Sequence, residues 1–291
     1  MSRLLIIDGH AYAYRAFHAI RELRSPEGKP TNAIYGFVKM LEKMRTALQP
    51  THLIVVWDGG LSAERMTALP DYKAQRPEMP MDLRPQFDEI ESFLVAAGIA
   101  SYRADGVEAD DYIATLARQA ANSWNVVIAS SDKDFMQLVS DRIRLFNPND
   151  KTGTIWGREQ VFAKTGVEPE QVADWLALMG DAVDNIPGVP GVGPKTAAEL
   201  LRQFGSVENL LARLDEVKSE KLRQSLRDST ANVVRNQKLV RLPEVPCEFV
   251  PENLVVRAGD SKALRRLYAG WGFKGMLAAL GALGEKQAEL I

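Results

Sequence analysis

The chain has 291 residues, which is enough for one large domain or two modest ones. Its composition, 46% hydrophobic and 25% charged, is ordinary for a globular protein, and no apolar run approaches the roughly 20 residues of a membrane helix. The net charge of −2 argues at first sight against a protein that binds nucleic acid. The single Cys247 excludes an internal disulfide framework, and the apolar run at 4–7 is too short for a signal peptide, so we expect a cytoplasmic protein.

The first part of the chain alternates between two kinds of segment. Short unbroken apolar runs have the composition of strands in a parallel sheet, and the segments between them repeat apolar residues at helical spacing. The predicted strands span residues 3–8, 53–57, 99–103, 125–130 and 142–146. The predicted helices span residues 33–48, 83–97, 108–122 and 133–139. This alternation predicts an α/β fold, with a mostly parallel twisted sheet and flanking helices joined by right-handed crossovers.

Two stretches depart from the alternation. Residues 59–82 contain three prolines and mixed charges without a strand pattern, so we predict an excursion from the sheet there. After about residue 158 only helical patterns follow, punctuated by Gly and Pro at 185–194. We therefore predict a core over residues 1–157 and a helical region over residues 158–291.

Acidic residues gather where the predicted strands end. Asp8 and Asp58 follow the first two apolar runs, and Asp132 and Asp134 follow the run at 126–129. Because ligand sites in open α/β sheets lie outside the carboxyl ends of the strands, we expect these side chains at one rim of one sheet. Two further clusters can join them, which gives nine acids: Asp8, Asp58, Glu108, Asp110, Asp111, Asp132, Asp134, Asp181 and Asp184.

Nine carboxylates cannot lie together ionised without cations between them, and an oxygen-only ligand set favours Mg²⁺ or Mn²⁺. Each cluster alone has a simpler explanation, because acids at 108–111, 132–134 and 181–184 can cap a helix, complement its dipole or form a solvated face. Asp8 and Asp58 fit that explanation poorly, since each ends a buried run next to a glycine. Their joint occurrence favours a metal centre.

The clustering also changes the meaning of the net charge. Of the 38 acidic residues, nine belong to the clusters, so the 36 basic residues exceed the remaining 29. A basic body around an acidic, metal-filled pocket suits an enzyme that cleaves phosphodiester bonds. His10, His18 and His52 show no metal-ligand spacing and are predicted to be structural.

The Gly- and Pro-rich run at 188–198 predicts a tight hairpin followed by a new helix. The first N–H groups of that helix, together with Lys195, would hold a phosphate without reading bases. This is the form of a helix-hairpin-helix at about 185–205. A plain glycine-rich connection between helices is the alternative.

The segment at 69–77 combines an aromatic residue with two cations. Tyr72 could stack on a base while Lys73 and Arg76 hold phosphate, which is the chemistry of a single-strand grip. On these residues alone, a solvated basic face is at least as good an interpretation. The position shortly after Asp58 favours the grip, because the segment would then overhang the acidic rim.

Seven short segments together carry a resemblance to a known family: Leu5–His10, Tyr35–Phe37, Leu69–Ala74, Glu108–Asp111, Ser131–Asp134, Gly180–Asn185 and Gly188–Lys195. In this order they closely resemble the 5′-nuclease domain of bacterial DNA polymerase I and, through it, the flap endonuclease superfamily. The resemblance covers nearly the whole chain. It implies a PIN-like nuclease core, a helical arch over 59–82, and a two-metal phosphodiesterase that cuts 5′ flaps and removes RNA primers in replication and repair.

The resemblance also implies the roles of individual residues. The first metal would be held by Asp8, Asp58, Glu108, Asp110 and Asp111, and the second by Asp132, Asp134, Asp181 and Asp184. Lys73 and Arg76 would steer the scissile phosphate and Tyr72 would stack on a base. The residues expected to act in catalysis are Lys73, Arg76, Asp8, Asp110 and Asp134.

Contacts with DNA and with K⁺ complete these expectations. K⁺ would be held at the hairpin by the main-chain carbonyls of Leu178, Met179, Pro187, Val189 and Val192. The expected DNA-binding residues are Arg15, Tyr72, Lys73, Arg76, Gly191, Gly193, Lys195 and Thr196. We expect a nucleoid-associated monomer that binds DNA with a 5′ flap, a nick or a single-stranded 5′ end, with a DNA polymerase as a candidate partner.

Two other functions are compatible with parts of the sequence. A ribonuclease of the related small-nuclease class also uses clustered acids on an α/β sheet, but the hairpin at 188–195 and the basic segment at 69–77 suit branched duplex DNA. A non-catalytic binder of DNA junctions would not need the complete acidic set.

Overall fold

The structure, a computed structural model, describes residues 2–147 and 152–288, and for residues 282–288 it describes the backbone only. The strands are β1 (Arg3–Asp8), β2 (His52–Val56), β3 (Ala100–Tyr102), β4 (Asn125–Ala129), β5 (Ile143–Phe146), β6 (Ile155–Trp156), β7 (Gly180–Asp181) and β8 (Ile186–Pro187). The helices are α1 (Gly9–Ala19), α2 (Asn32–Leu48), α3 (Ala63–Ala68), α4 (Arg84–Ala96), α5 (Ala109–Ala121), α6 (Arg158–Thr165), α7 (Val172–Met179), α8 (Pro194–Phe204), α9 (Val207–Ala212), α10 (Glu220–Asp228), α11 (Thr230–Val240), α12 (Ser261–Trp271) and α13 (Lys274–Ala288). Short 3₁₀ helices lie at Lys133–Leu138, Pro169–Gln171, Leu214–Glu216 and Pro251–Leu254. None of the helices in the described ranges combines the length and apolar character needed to span a bilayer.

The chain forms two compact units, and the first unit is assembled from residues 1–57, 78–103 and 249–291. It contains three parallel strands in the order β3-β2-β1, with Leu4 opposite His52 and Asp8 opposite Val56. The side chains of Leu4 to Ile7 are fully buried, as their unbroken apolar run requires. Helices α2 and α4 bury the apolar faces that their helical spacing predicts.

The second unit comprises residues 58–77 and 104–248. In it β4 runs parallel to β5, and the short β6 pairs with β5 in the antiparallel direction. Helix α5 packs against β4 and β5, α6 packs against β6, and the β7–β8 ladder lies between α7 and α8 in the sequence. The predicted fold class is confirmed, since the sheet strands are parallel except for β6 and the chain after residue 157 is largely helical. The division at residue 157 stays a prediction.

Several elements differ from the predicted pattern. The segment predicted as a helix at 133–139 is a 3₁₀ helix over Lys133–Leu138, and the region predicted to be helical after residue 158 contains the short strands β7 and β8. Helix α1 follows β1 without a loop, because Asp8 ends the strand and caps the helix: its Oδ1 accepts a hydrogen bond from Ala11 N at 3.0 Å. The predicted excursion contains the six-residue helix α3 and then a turn at 71–76, which we call the basic turn. Ser62 caps α3 by accepting a hydrogen bond from Arg65 N.

Candidate active site

The segment after Asp58 is fixed by a close backbone approach within the second unit. Gly59 N donates to Val107 O at 3.0 Å, and a Cβ built on Gly59 would lie 1.7 Å from Ala104 O. Only glycine fits there. Asp58 Oδ1 accepts a hydrogen bond from Gly60 N at 3.0 Å. The glycine that follows Asp58 therefore allows the chain to pass directly against the segment that leads to Glu108.

Glu108 is a buried acid with cations on both of its oxygens. Its side chain is 1% exposed; Oε2 accepts from Lys73 Nζ at 2.5 Å, and Oε1 lies 3.1 Å from Arg65 Nη1. Ser62 N also donates to Oε1 at 3.0 Å. Burial opposes the negative charge, but Lys73 and Arg65 outweigh it and hold the pKa of Glu108 below its ordinary value. Glu108 is therefore ionised and held in one orientation.

Asp111 lies one helical turn further on, in the first turn of α5, and faces the same arginine. Arg65 donates to Asp111 Oδ2 at 2.8 Å and to Oδ1 at 2.7 Å, a bidentate pair between two buried side chains. Burial raises the pKa of Asp111 above its ordinary value even so. Arg65 also donates to the main-chain carbonyls of Leu239 and Arg241. Arg65 thus connects the start of α5 to the end of α11.

The basic turn lies against both acidic sets of the second unit. Lys73 is 6% exposed, and although burial opposes its charge, Asp110 and Glu108 hold its pKa above the ordinary lysine value. Arg76 donates to Asp184 Oδ1 at 2.7 Å. Sequence reasoning assigned Lys73 and Arg76 to a phosphate, and in this structure both contact carboxylates. A phosphate bound to metal ions on those carboxylates would have to lie at the same place.

Tyr72 lies beneath the basic turn rather than on its surface. The side chain is 3% exposed, and its hydroxyl lies 3.4 Å from Glu108 Oε2 and 3.4 Å from Asp184 Oδ2. Burial, Glu108 and Asp184 raise its pKa far above the ordinary value. Stacking of Tyr72 on a base would require the turn to open, so that role stays a prediction.

The second acidic set consists of four aspartates, which belong to the 3₁₀ helix at Lys133–Leu138 with its cap and to the β7–β8 ladder with its turn. Asp132 Oδ1 accepts from Asp134 N at 2.9 Å. Asp181 Oδ1 accepts from Val183 N at 2.9 Å and lies 3.0 Å from Lys133 Nζ. Burial and the charges of Asp132, Asp181 and Asp184 raise the pKa of Asp134 well above its ordinary value. The negative charges of Asp132, Asp181 and Asp184 thus oppose ionisation of Asp134, which is what clustered acids at a cation site would produce.

The residues of this set fit a hard divalent cation. Asp134 Oδ1 is a buried carboxylate oxygen with no hydrogen-bond partner in the described part of the chain, and it lies among three further carboxylates. A bare anionic oxygen of this kind is costly unless a cation satisfies it, and carboxylates are ligands that Mg²⁺ and Mn²⁺ prefer. Among the side chains described, those of residues 2–147 and 152–281, however, no three acidic, histidine or cysteine side chains already form a group that could hold a metal ion. Four of the nine carboxylates, those of Glu108, Asp111, Asp181 and Asp184, instead pair with Arg65, Lys73, Arg76 or Lys133.

The structure leaves some predicted assignments open. Asp8 and Arg15 belong to the first unit, on β1 and α1, so their place beside the acids of the second unit stays a prediction. Asp110, in the first turn of α5, acts on the charge of Lys73, which places it near the basic turn. The ligand role of Asp58 also stays a prediction.

The pKa of Asp134 makes a prediction about stability. Because this pKa is higher in the folded chain than in the unfolded chain, ionisation of Asp134 opposes folding; the cost is absent below the unfolded value of about 3.9 and grows as the pH rises towards the folded value. In EDTA, Asp134→Asn should therefore gain stability over the wild type as the pH rises from about 4 to 8. Urea denaturation checks this, with Asp141→Asn, an exposed acid, as control. A stability difference that shrinks with pH would contradict the assignment.

The predicted tight hairpin corresponds to a turn at residues 189–192, where Val192 N donates to Val189 O at 3.0 Å; it follows the β7–β8 ladder and precedes α8, and we refer to this turn as the hairpin. The helix-hairpin-helix assignment stays a prediction. Gly191 has φ of +84°, and Pro194 occupies the first turn of α8. Lys195 is exposed beside the N-terminus of α8. Main-chain N–H groups at a helix start attract anions, so this end of α8 suits a phosphate.

Three of the five carbonyls predicted to hold K⁺ already accept hydrogen bonds. Leu178 O accepts from Val189 N at 2.8 Å, Val189 O accepts from Val192 N at 3.0 Å, and Pro187 O accepts from Asn236 Nδ2 at 2.7 Å. A carbonyl oxygen has a second lone pair, so these bonds are compatible with a cation ligand. The K⁺ site stays a prediction.

We expect Lys195→Ala to weaken duplex binding and to lower the salt slope of binding by about one unit, because one phosphate contact is lost. The measurement is the dissociation constant for a flap duplex over a series of salt concentrations. Lys262→Ala is a matched control, since Lys262 occupies the same second position in α12 and is also exposed. Equal slopes for wild type and Lys195→Ala would contradict a phosphate role.

Sequence reasoning missed three residues that organise the site: Arg65, Lys133 and Asn185. Arg65 bonds to residues 46 and 174 positions away, which no local pattern reveals. Lys133 was hidden between Asp132 and Asp134, although a cation between two clustered acids is a usable signal. Asn185 belongs to a quoted motif, but only the structure shows what its side chain contacts.

Comparison with known proteins agrees with the site. The family described as 5′-3′ exonuclease, N-terminal resolvase-like domain, matches residues 3–166, and the 5′-3′ exonuclease, C-terminal SAM fold, matches residues 167–262. A 5′-3′ exonuclease of Aquifex aeolicus is 40% identical over 269 residues, which cover 91% of each chain. DNA polymerase I of Bacillus caldotenax is 39% identical over 279 residues, or 94% of this chain. The match spans only 32% of that polymerase, so this chain covers about a third of the length of such relatives.

A solved structure of the bacteriophage T5 flap endonuclease, a pseudo-enzyme–product complex with DNA and metal ions, has a TM-score of 0.69 and 28% sequence identity. The likeness covers 83% of this chain and 89% of the phage protein. The two family matches together extend over residues 3–262. They confirm the resemblance inferred from the motifs, and the chain belongs to the 5′-3′ exonuclease family.

Proposed function

We propose that this protein is a divalent-metal-dependent 5′-3′ exonuclease and 5′-flap endonuclease that hydrolyses phosphodiester bonds in nicked or branched DNA. One observation carries the proposal: Lys73 and Arg76 are held against carboxylates beside a cluster of mutually repelling aspartates that contains a buried, unsatisfied carboxylate oxygen. Carboxylates that could hold metal ions and cations that could bind a phosphate thus lie together in the second unit. Relatives of the family that act on DNA and hold metal ions support the same conclusion.

Each acidic set would hold one Mg²⁺ or Mn²⁺ ion. Asp132, Asp134, Asp181 and Asp184 form the second set, in which burial and the charges of the other three aspartates raise the pKa of Asp134 well above its ordinary value. The first set is Asp8, Asp58, Glu108, Asp110 and Asp111. Because Arg65 occupies both oxygens of Asp111, that residue would support the first ion through neighbouring groups or water. When bound, two such ions activate a water molecule and stabilise the charge on the attacking and leaving oxygens.

The residues of the chain then account for orientation and charge. Lys73 and Arg76 would exchange their carboxylate partners for the oxygens of the scissile phosphate and neutralise charge as it develops there. The hairpin and Lys195 would hold the duplex through its phosphates, with K⁺ at the main-chain carbonyls. The DNA contacts proposed for Arg15, Gly191, Gly193 and Thr196 belong to this surface model, and Tyr72 would stack on a base once the turn opens. Action on RNA primers and cooperation with a DNA polymerase are part of the proposal.

Release of a labelled 5′-flap oligonucleotide tests the function. We expect cleavage in Mg²⁺ or Mn²⁺ and none in EDTA. A single-stranded RNA of the same sequence serves as the alternative substrate, because a small-nuclease ribonuclease would cleave it in preference. Binding of the flap duplex without any divalent-dependent cleavage would contradict the proposal and would favour a non-catalytic junction binder.

A further inference from the structure

The basic turn and the turn after Asp184 each contain a non-glycine residue in the left-handed backbone region. Lys73 has φ of +58° and Asn185 has φ of +57°. Such residues are uncommon, and they persist only where the surrounding contacts over-determine the backbone. The contacts between the two turns are therefore the candidates for what holds the backbone of Lys73 and Asn185 in this region.

Three hydrogen bonds made by main-chain or side-chain amide groups join the two turns, in addition to the contacts of Tyr72 and Arg76 with the carboxylate of Asp184. Lys73 N donates to Asp184 O at 3.0 Å. Asn185 Nδ2 donates to Asp71 O at 2.8 Å, and Gln75 Nε2 donates to Asn185 Oδ1 at 3.1 Å. The side chain of Asn185 thus uses its donor and its acceptor on the two ends of the basic turn. Neither Asn185 nor Gln75 carries a charge, and neither contacts a carboxylate group through these bonds.

These bonds determine where the cations of the turn point. Lys73 and Arg76 lie between and beside the bonded positions, and their side chains reach Glu108 and Asp184 respectively. If the turn shifted along the chain or tilted away, both cations would move relative to the acids. The distance between phosphate-binding cations and metal ligands decides which phosphate of a strand can sit on the metal ions.

We infer that Asn185, acting with Gln75, is a positioning residue that sets the register of Lys73 and Arg76 over the acidic sets and thereby selects the phosphodiester bond that is cut. The inference rests on the proposed function. Asparagine suits the position because it tolerates the left-handed region and offers both a donor and an acceptor. Glycine would keep the backbone conformation and lose both bonds.

The experiment compares wild type, Asn185→Gly and Gln75→Ala on a 5′-flap duplex labelled so that every product length is resolved, in Mn²⁺ under single turnover. Both variants should spread cleavage over neighbouring positions around the junction, and the maximal single-turnover rate should fall roughly 10- to 100-fold, with the half-saturating enzyme concentration changing less. Gln224→Ala is the matched control, because the side-chain amide of Gln224 donates an exposed hydrogen bond to Asp228 within α10. In the metal-free full chain, hydrogen exchange over residues 70–77 should be faster in both variants than in wild type and control.

Two results would overturn the inference alone. One is an active wild type with the same product lengths in both variants as in wild type. The other is loss of Mn²⁺ binding by calorimetry in Gln75→Ala, which would show that the link supports the metal ligands rather than the cut position. Gln75→Ala removes the same link from the far side, so it decides the matter if Asn185→Gly does not fold. A wild type that does not cleave refutes the proposed function, and the inference with it.

Discussion

Replacing Asp134 by alanine should lower the single-turnover rate of flap cleavage by more than the roughly 10- to 100-fold that loss of an outer partner of a metal ligand costs. Asp134 supplies a buried carboxylate oxygen without a hydrogen-bond partner in the described residues, and the charges of three aspartates act on it, so under the proposed function its loss would remove a direct metal contact. Binding of the flap duplex should change little, since the proposed phosphate contacts lie on the basic turn and the hairpin. Cleavage and gel-shift assays on the same substrate measure the two effects separately.

Asp184→Ala gives a second view of the same site. It removes one carboxylate of the cluster and also the partner of Arg76, so cleavage should fall as with Asp134→Ala. Asp141→Ala, at an exposed acid outside the cluster, controls for a general loss of negative charge. Turnover close to that of the wild type in either cluster variant would remove these residues from the metal site.

Arg65→Ala should destabilise the protein by about 3–5 kcal/mol, because removing one member of a buried ion pair leaves uncompensated charge in the interior. The side chains are buried: Arg65 is 6% exposed, Glu108 1% and Asp111 3%. The guanidinium of Arg65 also donates to the carbonyls of Leu239 and Arg241. Urea denaturation in EDTA at neutral pH measures the change in the free energy of unfolding.

Two further variants separate charge from geometry. Arg65→Lys keeps the positive charge but cannot reproduce the planar fork that reaches both oxygens of Asp111, so its stability should fall between those of wild type and Arg65→Ala. Arg213→Ala breaks an arginine–glutamate pair on the surface and should change stability too little to resolve. If Arg65→Ala behaved like Arg213→Ala, the buried ion pair would not matter to the fold.

Sequence reasoning succeeded where local patterns carry the information. The strand that ends at Asp8 and the helix face of Phe37 and Leu41 follow from unbroken or periodic apolar residues, and both are present in the structure. Helix α1 was missed because Tyr12, Ala13 and Ala16 follow a strand directly, without a loop to separate two patterns. The cap by Asp8 is the cue that could have revealed it.

The candidate site divides in the same way. The acids at strand ends and in motifs could be found because parallel strands deliver their following residues to one rim. The partners of those acids could not, because the bonds of Arg65 to Asp111 and of Arg76 to Asp184 span 46 and 108 residues. Burial of Tyr72 was equally hidden, since an aromatic residue between cations has the same pattern whether it faces solvent or the interior.

The interleaved course of the chain has a consequence for its biosynthesis. The first unit takes its strands from the start of the chain but its α12 and α13 from the end, where Trp271 Nε1 donates to Glu89 Oε2 at 2.9 Å and Phe273 packs edge-on against Tyr35. Domains generally fold from the N-terminus as they leave the ribosome. The core formed by β1 and β2 therefore cannot be completed until α12 and α13 have been synthesised, more than 200 residues later in the chain.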